Sequence, residues 1–157
     1  MMLFTGNKMV TVKFKKLDDQ VTLPRYQTEG AAGMDLHAWV PELNGQTRLT
    51  LQPGEVQLIP TGFAVEIPKG YYGAIVSRSG MALKGIVVNN SPGIVDSDFC
   101  SEVKIIIKNA STAPFTINRG DRIAQMLILP VAHVLCQEVS ELTPTARGGG
   151  SFGSTGI

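Results

Sequence analysis

Two carboxylates, Asp96 and Asp98, stand two residues apart in an apolar segment that covers residues 93–99. A carboxylate in such surroundings can orient a water molecule and take a proton from it, which is general-base chemistry. Asp and Ser also favour turns, because their side chains hydrogen-bond to the nearby backbone. The spacing alone therefore leaves two interpretations open, a catalytic carboxylate and a plain hairpin.

The run Ser77-Arg78-Ser79-Gly80 follows an apolar segment and precedes a short helical pattern at residues 80–84, which Gly85 closes. Free N–H groups at a helix start bind anions, and a guanidinium with hydroxyls adds charge-assisted hydrogen bonds. Ser and Gly are also common helix caps. Phosphate binding and simple capping both remain open for this run.

Three further features have residues of chemical interest. Asp35 stands alone between apolar neighbours, and it could lie near a magnesium ion or end a strand. His37 and His133 are single residues, which we interpret as structural. The segment at residues 120–125 is a tight turn that leads into a strand. No Ser/His/Asp or Cys/His arrangement for covalent catalysis stands out.

The segment after Pro144 is rich in glycine and contains Arg147 and Phe152. Such a composition cannot bury enough surface to order itself, so a disordered end is one interpretation. The other is an arm that orders on a ligand, since glycine amides and an arginine suit phosphate and an aromatic ring can stack on a base.

The composition limits the classes of function that remain. The chain has 157 residues, a formal net charge of +1 and 17% charged residues. This length fits one domain, and the near-neutral charge argues against a dedicated nucleic-acid binder. With 17 Gly and 9 Pro, long helices are not expected.

Membrane and secretory classes are also disfavoured. The longest unbroken apolar stretch, near residues 126–129, is far shorter than the roughly 20 residues of a membrane helix, and the N-terminus lacks the pattern of a signal peptide. Cys100 and Cys136 have no metal-binding spacing, so free thiols in a reducing compartment are expected. We therefore expect a cytoplasmic protein without a membrane partner.

Short apolar runs recur between breaks that contain Gly or Pro, which predicts an all-β sandwich, barrel or jelly roll. Val10, Val12 and Phe14 alternate with polar residues, as in a half-buried strand. The other predicted strands cover residues 49–51, 56–59, 63–67, 72–76, 86–88, 103–108, 115–117, 123–129 and 134–139.

Taken together, five segments resemble the ordered motifs of the trimeric dUTPase family, the deoxyuridine triphosphate nucleotidohydrolases. These segments are residues 32–36, 78–82, 93–99, 120–125 and 147–156. The resemblance implies an all-β, jelly-roll-like subunit with one short helix and a mobile C-terminal arm. It divides the chain into a domain at residues 1–142 and an arm at residues 143–157 that closes over an active site.

The family resemblance also implies the activity. The expected reaction is the Mg²⁺-dependent hydrolysis of dUTP to dUMP and pyrophosphate, by attack of water on the α-phosphorus. It would limit uracil incorporation into DNA and supply dUMP for dTMP synthesis. The implied assembly is a homotrimer with shared active sites, in the cytoplasm or encoded by a virus, with no direct nucleic-acid partner.

Residue roles follow from matching positions. The resemblance implies that Asp96 activates the attacking water and that Asp35 holds magnesium through water. Gln125 matches a phosphate contact, and Arg122 matches a phosphate-facing or inter-subunit arginine. Asn90 matches a residue of the base-and-sugar pocket, and Phe152 matches the ring that stacks on uracil. The full set of implied substrate-binding residues is Arg78, Ser79, Gly80, Asn90, Gly93, Ile94, Val95, Phe99, Arg122, Gln125, Arg147, Phe152, Gly153, Ser154 and Thr155.

The chain departs from the family pattern at three places. Phe99 replaces a usual Tyr, which keeps the ring and loses a hydroxyl. Cys100-Ser101 replaces a common Arg-Gly or Gln-Gly pair, and Ser77 replaces a usual Pro, which should loosen the approach to the phosphate cradle. These departures bear on affinity and base selectivity more than on activity.

Three alternatives belong to other functional classes. A dCTP deaminase of the related fold would need a glutamate at the base, and Glu102 is the only glutamate near the third motif. A dUTPase-like regulatory protein would bind nucleotide and signal to a partner. An inert structural jelly roll would have no reason to keep Arg147 and Phe152 among glycines.

Overall fold

The computed structural model describes residues 9–146 and 148–150. In those residues the chain forms ten strands and one short helix, which confirms the all-β prediction. The elements are β1 (Lys13–Lys16), β2 (Met34–His37), β3 (Arg48–Leu51), β4 (Val56–Glu66), β5 (Tyr71–Val76), α1 (Ser79–Ala82), β6 (Ile86–Val88), β7 (Gly93–Val95), β8 (Glu102–Asn109), β9 (Phe115–Asn118) and β10 (Arg122–Pro130). No helix in this part of the chain has the length and apolar content needed to cross a bilayer.

The strands form two four-stranded sheets and one two-stranded sheet, all antiparallel. The first sheet has the order β1-β4-β8-β6 and the second has the order β2-β10-β5-β7, while β3 pairs with β9. Antiparallel sheets of this kind bury one face, which accounts for the alternating apolar pattern of the sequence.

The core lies where the buried faces of the strands meet. Leu36 from β2 and Met126 from β10 pack in one apolar cluster with Phe63 from β4 and Ile105 from β8, and each is at most 1% exposed. Successive side chains of a strand point to opposite faces. Leu36 therefore faces the core, while its neighbour Asp35 faces the other side of the sheet.

The predicted strands at residues 56–59 and 63–67 are one continuous strand, β4. Its pairing with β8 shifts register between Pro60 and Ala64, which marks a β-bulge where the sequence suggested a break. Gly62 lies in this irregular stretch with φ +72°. This backbone conformation favours glycine, and Gly62 therefore allows the strand to bend at the bulge.

The predicted strand at residues 134–139 is wrong. Residues 131–142 form no strand and are exposed, with Val134, Leu135 and Leu142 at 78%, 94% and 84%. Alternating apolar residues indicate a buried face, but they do not identify the element that covers it. Among the described residues, no other strand of this chain pairs with the segment.

Smaller differences concern the ends of elements. β1 begins at Lys13 instead of Val10, and α1 spans only Ser79–Ala82 before Gly85 turns the chain at φ +75°. The short strands β2 and β7 carry two of the family motifs, and their three or four residues are too few for a clear periodic signal.

Candidate active site

The buried carboxylate of Asp35 lies at the centre of a polar cluster. Its three side-chain partners all come from other elements of the fold. Its Oδ1 accepts hydrogen bonds from Arg78 Nε at 3.2 Å and from Gln125 Nε2 at 3.1 Å. Its Oδ2 accepts one from Arg122 Nη1 at 3.1 Å. The Asp35 side chain is only 2% exposed, so this carboxylate is held by its partners more than by water.

The second sheet brings these residues together. β10 lies between β2 and β5, and Gln125 is the cross-strand partner of Asp35 on one side and of Val76 on the other. Val76 ends β5, two residues before Arg78, whose Nη1 also donates to the Arg122 carbonyl at 2.9 Å. We call Asp35, Arg78, Arg122 and Gln125 the guanidinium cluster.

The guanidinium cluster has the charge of an anion site. Two guanidinium groups and one carboxylate leave a net charge of +1, and the arginine side chains are 24% and 47% exposed. Arg78 is also the residue before α1, so Ser79 and Gly80 follow it at the surface. Charged donors beside free backbone groups suit the oxygens of a phosphate chain.

A cavity of about 180 Å³ lies against the strand β7. Five residues that the family resemblance assigns to the nucleoside line it: Asn90, Gly93, Ile94, Val95 and Phe99. A Cβ on Gly93 would lie 3.2 Å from Asn90 Nδ2, so glycine lets the amide approach the strand. We call this space the nucleoside cavity after that expectation, and the five residues line it together.

Asp96 lines a second and larger cavity of about 770 Å³, which shares Ile94 with the nucleoside cavity. The β5–β7 register pairs Gly73 with Val95, which brings Tyr72 to the position beside Asp96. Asp96 itself is exposed on this chain. An exposed carboxylate that lines this cavity is accessible both to a bound ligand and to a water molecule.

The Asp96 cavity also contains residues that the sequence reasoning missed. Lys69, Tyr72 and His133 line it together with Asp96 and Asp98. His133 was interpreted as structural, yet it is exposed here. The sequence around Lys69 is Pro68-Lys69-Gly70, and such a run indicates a turn but no ligand contact.

The guanidinium cluster and the Asp96 cavity are separate on one chain. No hydrogen bond or ion pair among residues 9–146 and 148–150 joins Asp96 to Arg78, Arg122 or Gln125. We call the guanidinium cluster one half-site, and the Asp96 cavity with the adjoining nucleoside cavity the other half-site. The predicted residues of the fifth motif lie outside the described residues: Arg147, Phe152, Gly153, Ser154 and Thr155.

Magnesium would fit this site only through water. Asp35 already accepts three hydrogen bonds, two of them from cations, which leaves little capacity for a direct bond to a metal. No group of three or more His, Cys, Asp or Glu side chains suited to a metal ion occurs in the part of the chain that the structure describes. Mg²⁺ usually keeps several of its waters and binds mainly through substrate phosphates, so an outer contact with Asp35 is compatible.

Glu102 is engaged away from the nucleoside cavity. Its Oε1 accepts a hydrogen bond from the Gly62 N–H at 3.0 Å, and its Oε2 lies 3.5 Å from Lys104 Nζ. Glu102 therefore supports the bulge of β4, and it is not among the residues that line the cavity. This placement argues against the deaminase alternative, which needs the carboxylate at the base.

Two other side chains near the guanidinium cluster have defined environments. Ser77 Oγ accepts the Val88 N–H at 2.8 Å, so this segment has a hydrogen bond that a proline could not provide. His37 is on β2, two residues after Asp35, and its buried Nδ1 has no partner among the described residues. Burial lowers the pKa of His37 below its ordinary value of 6.5.

Comparison with known proteins gives one consistent result. The sequence model of the dUTPase family matches residues 19–156. The deoxyuridine 5'-triphosphate nucleotidohydrolase of Rhizobium rhizogenes is 52% identical over 136 residues, which cover 86% of this chain and 85% of that protein. The protein of the same name from an Anaeromyxobacter species is 46% identical over 151 residues, or 94% of this chain and 98% of that protein.

Solved structures show the same relationship. The dUTPase of Staphylococcus bacteriophage 80alpha with dUPNHPP has a TM-score of 0.81 at 27% identity, and the match covers 94% of this chain and 99% of that one. A mutant dUTPase from phage phi11 of S. aureus, described as revealing the coordination of a structural Mg(II) ion, has a TM-score of 0.73 at 26% identity. That match covers 84% of this chain and 98% of the phage protein.

Proposed function

Because the chain belongs to the dUTPase family, we propose that Asp96 directs a water molecule at the α-phosphorus of dUTP in a site shared between subunits. The chain is a dUTP diphosphatase, which hydrolyses dUTP to dUMP and pyrophosphate. The observation that carries the proposal is the nucleoside cavity, whose five expected residues adjoin the cavity that contains Asp96.

The nucleoside cavity supports selection of uracil. Backbone groups around Gly93 and Val95 can hydrogen-bond to the edge of the base, and cytosine presents a donor where uracil presents an acceptor. A buried polar group without a partner costs about 1–3 kcal/mol, which gives useful discrimination. The ring of Phe99 covers the sugar and leaves no room for a ribose 2′-hydroxyl, and the narrow space excludes the methyl group of thymine.

The guanidinium cluster supplies the phosphate half of the site. Arg78 and Arg122 approach the phosphate oxygens as charged donors, and Ser79 and Gly80 add contacts at the start of α1. Gln125 donates its amide to Asp35 in this chain and is close enough to the two arginines to share a phosphate with them. Asp35 sets the positions of all three donors.

The expected substrate is dUTP with a bound magnesium ion. When bound, Mg²⁺ would neutralise charge on the phosphate chain and make pyrophosphate a better leaving group. Asp35 would hold one of its waters, and Asp96 would take the proton of the attacking water at its carboxylate oxygen. General-base action of this kind contributes about 10²–10⁴ in rate.

The assembly is a homotrimer in which a guanidinium cluster from one subunit meets an Asp96 cavity from another. Two features support this arrangement: the half-sites are separate on one chain, and apolar side chains of residues 131–142 are exposed on it. Residues 143–157 form an arm that closes over a site, with Phe152 stacked on uracil and with Arg147, Gly153, Ser154 and Thr155 at the phosphates.

The cellular role follows from the reaction. Removal of dUTP limits uracil incorporation into DNA, and dUMP is the precursor for dTMP. An intracellular, cytoplasmic location fits the exposed free thiols of Cys100 and Cys136, which persist in reducing compartments.

A substrate panel tests the proposal. Pyrophosphate release is measured with dUTP, UTP, dTTP and dCTP, with and without Mg²⁺. We expect release from dUTP that exceeds the others by about a hundredfold and that depends on the metal. Equal release from UTP or dTTP would contradict the assigned nucleoside cavity, and ammonia release from dCTP would favour a deaminase.

A further inference from the structure

Ser77 joins the two sheets of the subunit. It follows β5, which belongs to the second sheet, and its hydroxyl reaches β6, which forms one edge of the first sheet. The Val88 N–H donates to Ser77 Oγ at 2.8 Å. This side chain thus bridges two elements that the strand ladders do not connect.

The bond occupies a donor that the ladder leaves open. Gly85 and Asn89 flank β6 and both bond to the β8 side: the Gly85 carbonyl accepts the Ala110 N–H, and the Asn89 N–H donates to the Ile106 carbonyl. Alternate residues of an antiparallel strand point their backbone groups in opposite directions. The Val88 N–H therefore faces away from β8, and Val88 is only 4% exposed, so a side-chain acceptor replaces water there.

Each end of the bond lies next to one half-site. Ser77 directly precedes Arg78, whose guanidinium donates to Asp35 and to the Arg122 carbonyl. Val88 lines the nucleoside cavity, two residues before Asn90. One hydrogen bond thus connects the backbone of the guanidinium cluster to the wall of the nucleoside cavity.

We propose that Ser77 is a positioning residue, whose hydroxyl sets the spacing between the guanidinium cluster and the nucleoside cavity. This inference rests on the proposed function. In a homotrimer of identical chains the two half-sites of each chain serve different active sites, so one internal spacing sets the geometry of all three. An error in that spacing displaces the phosphorus from Asp96 without removing any contact to the nucleotide.

The test compares Ser77→Ala with Ser77→Thr, which keeps a hydroxyl. We expect Ser77→Ala to lower kcat by about tenfold with the dUTP KM within threefold, because misplacement affects the reaction more than binding. Ser77→Thr should keep kcat within threefold of the wild type. Hydrogen exchange of the Val88 amide should accelerate at least tenfold in Ser77→Ala and stay slow in Ser77→Thr.

Thr112→Ala is the matched control, because Thr112 is exposed, its side chain makes no hydrogen bond within residues 9–146, and it lies outside both half-sites and outside residues 131–142. Should Ser77→Ala not fold, Ser77→Cys, whose sulfur is a weak acceptor, takes its place with the same expected fall. A lower melting temperature with kcat of the folded enzyme within twofold would mean a merely structural role and overturn the inference. So would a Ser77→Thr variant as slow as Ser77→Ala. A wild type that releases no pyrophosphate from dUTP would instead overturn the proposed function.

Discussion

Arg122 Nη1 donates to Asp35 Oδ2 at 3.1 Å, although 87 residues separate the two in the chain. The same carboxylate accepts Arg78 and Gln125 on its other oxygen. Two guanidinium groups that are close enough to share one carboxylate would repel each other without it. Asp35 therefore holds the two arginines side by side at a surface that keeps a net positive charge.

Asp35→Asn should weaken both stability and turnover. It removes a charge that compensates two arginines, so we expect the free energy of unfolding to fall by about 1–3 kcal/mol, less than for a fully buried pair because the arginines are partly exposed. Displaced guanidinium groups should lower kcat/KM about 10- to 100-fold. Chemical denaturation and pyrophosphate release measure the two effects. Asp19→Asn, at an exposed position, is the control, and equal losses in both variants would refute the role of Asp35.

Asp96→Asn should separate binding from reaction. The amide keeps the shape of the side chain but cannot accept the proton of water, so turnover should fall by roughly 10²–10⁴ with the dUTP affinity nearly intact. Asp98→Asn, in the same cavity, should lower turnover by less than tenfold. Single-turnover kinetics with calorimetric binding test both. Wild-type turnover in Asp96→Asn would exclude it as the general base.

Phe99 tests the sugar side of the nucleoside cavity. Phe99→Ala removes the ring that covers the sugar, and we expect the dUTP KM to rise about tenfold while UTP becomes a better substrate. Phe99→Tyr keeps the ring and should leave KM within about threefold. Steady-state kinetics on both nucleotides measure the ratio. A Phe99→Ala enzyme that still rejects UTP as the wild type does would place the ribose discrimination elsewhere.

Removal of residues 147–157 should abolish most pyrophosphate release while the trimer persists. The proposed function gives these residues contacts to base and phosphates, and the last described strand ends at Pro130, so light scattering should still report the mass of the same oligomer. Phe152→Trp should preserve stacking and Phe152→Ala should weaken nucleotide binding. Equal loss in those two variants, or full activity after truncation, would contradict the arm's role.

Gly62→Ala should be among the most destabilising small changes in the chain. Its φ is +72°, and an added Cβ would lie 2.5 Å from Val21 Cγ2 and 2.8 Å from Trp39 Cγ. We expect a loss of about 2–5 kcal/mol from backbone strain and overpacking. Gly45→Ala has a similar φ of +74° with open space around it, so it should lose only about 1–2 kcal/mol. Similar melting temperatures for the two variants would contradict the packing argument.

Local patterns predicted most of the strands because alternation is a property of neighbouring residues. The buried side of β8, with Val103, Ile105 and Ile107, follows directly from its sequence. The bulge at Gly62 could not be predicted in the same way, because Pro and Gly indicate a turn and a bulge equally well. The choice between them depends on Glu102, 40 residues away.

The same distinction between local and long-range information applies to the candidate site. The residues of the motif at residues 93–99 lie together because they are adjacent in sequence, while only the family resemblance implies that they bind a nucleoside. The partners of Asp35 could be proposed only through the family resemblance, as no local rule joins Asp35 to Gln125. His133 and Lys69 were missed because the tertiary fold alone brings them beside Asp96.

The exposed apolar segment at residues 131–142 has a consequence for how the protein is made. If the proposed homotrimer forms, a newly synthesised subunit keeps these apolar side chains exposed to solvent until another copy covers them. Recovery of activity after dilution from denaturant should then depend on the concentration of chains, with a reaction order above one. Under that assembly, slow synthesis would leave unassembled subunits exposed to proteases for longer, so the yield of active enzyme would rise more steeply than the amount of chain made.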